Sequence, residues 1–110
     1  MRELVAVCLL VLMSGAAAAQ SMAIANNIVE GCRDSIRTSP SKPYAAGYCT
    51  GAVTAIMSTA ADICAPAGST IGQSIRVVVH FLDNNPARMH ENFPRLAAEA
   101  LAKAWPCRQR

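Results

Sequence analysis

The sequence predicts an all-α protein, a small four-helix up-down bundle stapled by two disulfides, and three observations point that way. Apolar residues recur at helical spacing in four segments, and no segment shows a convincing strand alternation. Proline, glycine and serine cluster between those segments, where the chain must turn. Four cysteines remain once an N-terminal leader is set aside, an even number of the kind that pairs in an oxidising compartment.

The leader is read from its three parts. Met1-Arg2-Glu3 precedes an apolar run from Leu4 to Met13, and Ala17-Ala18-Ala19 supplies the small residues of a cleavage point, so residues 1–19 form a signal peptide cut after Ala19. The run is short of the roughly 20 residues that a membrane span takes. Cys8 follows Val7, where a lipoprotein cleavage box would want a small residue. Residues 20–110 are therefore expected in a bacterial periplasm, as one domain with no membrane contact after cleavage. The net charge of +3 survives the cut, since the leader removes one arginine and one glutamate. The basic residues are scattered, which argues against nucleic acid as a partner.

The first helix is expected from about Ser21 to Arg37, with Ile24, Ile28, Cys32 and Ile36 along one stripe. Pro40 and Pro43 then stop one helix and start the next. The second runs from about Pro43 to Asp62 and buries Ala45, Tyr48, Cys49, Ala52, Val53, Ile56 and Ala60; Gly47 and Gly51, one turn apart, invite a close backbone approach. A third helix starts at a capping box formed by Thr70 and Gln73, and its inner face is Ile71, Ile75, Val78, Val79 and Leu82. Its RVVVHFL run is β-branched, but the cap and the length to Asp83 favour helix. A short helical turn lies in PARMHEN. The last helix spans about Phe93 to Trp105, with Leu96, Ala97, Ala100, Leu101 and Ala104 on its apolar face and Pro106 ending it.

Geometry narrows the cysteine pairing. Fifteen residues of helix rise about 22 Å, and a disulfide needs Cα atoms within roughly 7 Å, so an unbroken helix cannot join Cys49 to Cys64. Two pairings survive. Antiparallel neighbours joined by short turns bring Cys32 to Cys49 across the first turn and leave Cys64 and Cys107 together at the other pole. Cys32 with Cys64 and Cys49 with Cys107 would require a different topology.

The chemistry of a reactive site is thinly represented. There is no CxxC, and His80 and His90 stand ten residues apart on different segments, so no metal site and no cofactor is expected. Ser74, His80, Asp83 and His90 could be combined into a hydrolytic triad on paper, as could similar residues in most chains. No catalytic residue is assigned and the protein is not expected to be an enzyme. Trp105 is placed as a core or dimer-interface anchor. The exposed Pro/Gly/Ser loops Thr38 to Lys42 and Ala65 to Ser69 are the candidate recognition segments.

The chain from Cys49 to Cys107 also carries an ordered set of motifs: Cys49-Thr50-Gly51, Cys64-Ala65-Pro66-Ala67-Gly68, Gln73, Phe81-Leu82, Asn85-Pro86, His90, Ala100-Leu101 and Trp105-Pro106-Cys107. In order and spacing it resembles the Rap/Tai-type immunity proteins of type VI secretion systems. One departure is Gly51-Ala52-Val53, where members often carry Gly-Tyr-Ile; the tyrosine here is Tyr48. The resemblance implies a periplasmic helical protein, often a homodimer, that binds a secreted peptidoglycan amidase effector and occludes its cleft. An alternative keeps the scaffold as a periplasmic binding or envelope-stress protein without a cognate amidase. The matching residues are cysteines, helix stops and core positions, so the partner-binding residues stay unknown.

Overall fold

Residues 23–108 of the computed structural model form four α-helices and a 3₁₀ turn: α1 (Ala25–Ser35), α2 (Pro43–Thr59), α3 (Ile71–Asp83), the turn Pro86–Arg88, and α4 (Phe93–Ala104). The predicted signal peptide lies outside these described residues. No strand occurs among them, and only two isolated bridges join extended residues, Ile24 with Asn92 and Ile63 with Pro106.

The core collects what the helical spacing placed on the inner stripes. Ile28, Val29 and Cys32 of α1 meet Cys49 and Val53 of α2, Ile75, Val78, Val79 and Leu82 of α3, and Phe93, Leu96, Ala97, Ala100 and Leu101 of α4. Phe93 and Leu96 are fully buried, each worth about 1.5–3 kcal/mol in apolar surface taken from water. Both staples are present. Cys32 and Cys49 stand 5.2 Å apart at Cα and close a sequence separation of 17, and Cys64 and Cys107 stand 4.9 Å apart and close a separation of 43.

Helix ends depart from the sequence expectation for identifiable reasons. Ile24 does not extend the α1 stripe, because it is extended and paired with Asn92, and the helix begins at Ala25. No side chain caps α1. Its first N–H groups instead donate to the α3–α4 connection, Ala25 to the Glu91 carbonyl at 3.0 Å and Asn26 to the Met89 carbonyl at 2.9 Å, while Phe93 N–H returns to the Ala23 carbonyl at 2.7 Å. The starts of α1 and α4 thus satisfy each other's free backbone groups. At its other end α1 stops at Ser35 rather than Arg37, and α2 stops at Thr59 rather than Asp62. The lost turn of α2 frees Ile63 to pair with Pro106 and the Cys64 N–H to donate to the Trp105 carbonyl at 2.8 Å, which aligns the second staple.

Three burial expectations are corrected. Tyr48 is 36% exposed, because its ring leans on Phe93 with centroids 6.5 Å apart instead of entering the core, and Ala46 takes the buried place. Ala104 is exposed at the end of α4, beyond the last turn that faces the core. Gly47 and Gly51 face open space, with nothing near the position of an added Cβ. The close approach is at Gly31 of α1, where a Cβ would overlap the Ala45 carbonyl and side chain of α2.

These environments predict opposite effects of one substitution. Gly31→Ala forces helix backbones apart and should cost about 1–3 kcal/mol in urea denaturation. Gly47→Ala, on an exposed helix interior, should add about 0.5–1 kcal/mol.

Candidate partner-binding surface

Three polar clusters organise the exterior. The first lies at the α1–α2 turn. Asp34, on the last turn of α1 and 2% exposed, accepts the Ser41 N–H at 2.9 Å, the Ser41 hydroxyl at 3.1 Å and the Lys42 N–H at 2.7 Å. Those donors hold its carboxyl below the usual aspartate value of 3.8, burial opposes them, and the Arg37 charge assists. Lys42 is the N-cap residue of α2 and has no capping side chain of its own, so Asp34 ties the start of α2 to the end of α1 from outside the helix. Within the loop Thr38 to Lys42, it is Ser41 and Lys42 that are fixed in this way.

The second cluster joins α1 to α3. Arg33 grips both carboxylate oxygens of Asp83, one at 3.1 Å, and donates to Glu30 at 3.0 Å. The hydrogen bonds from Arg33 lower Asp83, and the carboxylates raise Arg33 in return. In the third, Arg88 of the 3₁₀ turn makes forked contacts to Glu91 at 2.7 and 3.1 Å and to Glu99 of α4 at 2.8 and 2.8 Å. Bonding to Arg88, helped by Lys103, holds Glu99 at about 2 and Glu91 below its usual range. Arg88 and Lys103 also lie over the Phe81 ring, 5.9 and 5.3 Å from its centroid.

The residues that could have been assembled into a triad are dispersed. Ser74 is buried and donates to the Thr70 carbonyl at 3.1 Å, Asp83 is held by Arg33, and His80 is exposed beside the Asn84 amide at 3.1 Å. No hydrogen bond joins any two of Ser74, His80, Asp83 and His90. Among the described residues no group of three or more His, Cys, Asp or Glu side chains is placed to hold a metal ion. Cys32 and Cys49 are fully buried in their staple, while Cys64 is exposed and Cys107 half-buried. Trp105 packs against the edge of the core as the C-cap residue of α4. The loop Ala65 to Ser69 is ordered by its own contacts: Gly68 takes φ +86°, a conformation that favours glycine, and both the Ser69 N–H and its hydroxyl donate to the Pro66 carbonyl.

A shallow groove of about 230 Å³ lies on the α1–α2 face, lined by Asn27, Ile28, Tyr44, Ala45 and Tyr48. Tyr44 is 79% exposed. The 17 residues of α2 include no charged side chain, so the surface running on from the groove over Gly47, Gly51, Thr54 and Ala55 is neutral. The sequence reading missed this groove because it placed Tyr48 in the core. Two tyrosines four residues apart on an uncharged helix were the available signal.

Fold and surface together define a class: a small helical scaffold whose described thiols are consumed in staples and whose carboxylates are largely consumed in internal links. Within that class, the chain belongs to the family of Rap1a immunity proteins, which matches residues 4–107. No curated protein and no solved structure matches it. Among the described residues no helix is long and apolar enough to cross a membrane.

The Asp34 latch predicts a defined acid response. A carboxyl lowered in the folded state stabilises it above the unfolded value and loses that contribution as pH falls through the folded value. The urea midpoint of the wild type should therefore fall as pH drops below about 4. Asp34→Asn should start from a lower midpoint at neutral pH and lose less on acidification. An unchanged acid slope in Asp34→Asn would remove the latch from the stability of the fold.

Proposed function

We propose that this protein is a periplasmic immunity protein that binds a type VI secreted peptidoglycan amidase and blocks its cleft without chemistry of its own. The observation that carries this proposal is the match to the Rap1a immunity proteins over almost the whole chain. The physics of the scaffold supports it. A bundle cross-linked within α2 and again just after it loses little conformational freedom on binding, so contact energy goes into affinity rather than ordering. Two disulfides suit an oxidising periplasm, and the signal peptide read in residues 1–19 would take the chain there. The pairing of two copies that the resemblance implies is part of the same proposal.

Protection of cells tests it. A strain making an amidase effector in its periplasm should survive when the full chain is expressed and lyse when residues 2–19 are deleted. The purified oxidised protein should also suppress peptidoglycan cleavage by that amidase at near-stoichiometric ratio. Protection by the leaderless form would contradict periplasmic action, and unimpaired cleavage in the presence of excess protein would contradict inhibition.

A further inference from the structure

The two disulfides lie in opposite environments. Cys32 and Cys49 are both 0% exposed, and each sits within a helix, so their sulfurs are enclosed by the core that α1 and α2 form with α3 and α4. Reaching that bond requires the helices to part. Cys64 is exposed and Cys107 half-buried, and neither belongs to a helix. They join the connection between α2 and α3 to the segment that follows α4. Besides the disulfide itself, the bridge of Ile63 with Pro106 and the hydrogen bond from the Cys64 N–H to the Trp105 carbonyl at 2.8 Å link these two segments. Ile63 and Trp105 each rest on the edge of the core.

From this contrast we infer that Cys64–Cys107 is a site of reversible thiol–disulfide exchange, open to a dithiol reductant in the folded protein, while Cys32–Cys49 is closed to it. Exchange requires a thiolate to reach one sulfur of the bond, so access decides which of the two disulfides reacts. The exposed Cys64 presents the sulfur for attack. A thiolate of the reductant bonds to Cys64 Sγ, the Cys64–Cys107 bond breaks, and its electron pair leaves on Cys107 Sγ, which takes up a proton from water. The reductant's second thiolate then attacks its own sulfur in the mixed disulfide and releases Cys64 as a thiolate, which is protonated in turn. The protein disulfide has gained two electrons and two protons, and the dithiol has become a disulfide. The helices survive this step, because the shared core and the α1–α2 cross-link remain. The Ile63–Pro106 bridge and the core contacts of Ile63 and Trp105 keep the freed thiols close, so oxidation restores the same pair. Opening releases the α2–α3 connection, which carries the Ala65–Ser69 loop, from the end of α4. The site stands whether or not the protein inhibits an amidase.

Alkylation mapping tests the site. The oxidised protein is exposed to dithiothreitol in native buffer and quenched at intervals with iodoacetamide. Bonds that survive are then reduced in denaturant and labelled with N-ethylmaleimide, and the peptides are quantified by mass spectrometry. Cys64 and Cys107 should acquire the first label together, about tenfold or more faster than Cys32 and Cys49. In unfolding urea the two rates should converge. With glutathione, a monothiol, in place of dithiothreitol, the mixed disulfide should form at Cys64 rather than at Cys107. The half-reduced protein should keep its helical circular dichroism, show a lower urea midpoint, and regain Cys64–Cys107 once the reductant is removed in air. A double variant, Cys64→Ser with Cys107→Ser, should match that midpoint, and its Cys32–Cys49 bond should resist the same treatment. Equal rates for the two bonds in native buffer, resistance of both, or earlier opening of Cys32–Cys49 would overturn the inference. So would loss of helicity when Cys64–Cys107 is absent, in the wild type or in the double variant, and so would reoxidation to a mixture of pairings.

Discussion

The architecture depends on two covalent anchors, one inside α2 at Cys49 and one just after it at Cys64. The N-terminal half of α2 is tied to α1 through Cys32–Cys49, and the chain five residues beyond its C-terminus is tied to the chain after α4 through Cys64–Cys107. Helix α2 is a poor candidate to hold itself in place. It has no charged residue, no capping side chain and three buried positions, Ala46, Cys49 and Val53, with Ala52, Ile56 and Met57 half-buried against the core. Four hydroxyls on it, Thr50, Thr54, Ser58 and Thr59, turn back to carbonyls of the preceding turn, so they stay within the helix and recruit no neighbour. Cross-links that restrict the unfolded chain are a direct remedy for an element with so little burial of its own. The consequence for function is that α2 can leave a face exposed. A helix held by burial alone would have had to spend that face on the core.

Polar groups supply the second level of order. Asp34 closes the first hairpin, Arg33 fastens α1 to α3, and Arg88 fastens the 3₁₀ turn to α4. Between them the backbone exchange at residues 23–26 and 89–93 joins the starts of α1 and α4. These contacts are partly exposed and individually modest, so their value lies in register more than in free energy. Together they tie up five of the six carboxylates among the described residues, all but Asp62.

What was legible in the sequence were the features set by near neighbours. The periodicity of Ile75, Val78, Val79 and Leu82 identifies α3 in spite of its β-branched run, Thr70 does accept the Gln73 N–H at 3.1 Å, and rise per residue excludes a Cys49–Cys64 bond. What escaped was set by distant partners. The extended Ile24 needs Asn92, the latch of Asp34 needs a loop seven residues on, and the fork from Arg88 reaches Glu99 eleven residues away. Gly31 and Gly47 look alike in sequence, but only one of them has another backbone against it. The candidate surface was missed for the same reason, since Tyr48 falls on an apolar stripe and only the position of Phe93 shows that its ring stays outside.

The stapling of α2 is tested most directly by comparing urea denaturation of the oxidised protein with that of a variant in which all four cysteines are alanine. Chain entropy assigns about 3 kcal/mol to the shorter loop and about 4 kcal/mol to the longer one. The account predicts that the cysteine-free protein loses most of its cooperative helical transition at room temperature. A cooperative transition of unchanged midpoint would show that burial and ion pairs hold α2 without its cross-links, and would contradict the account.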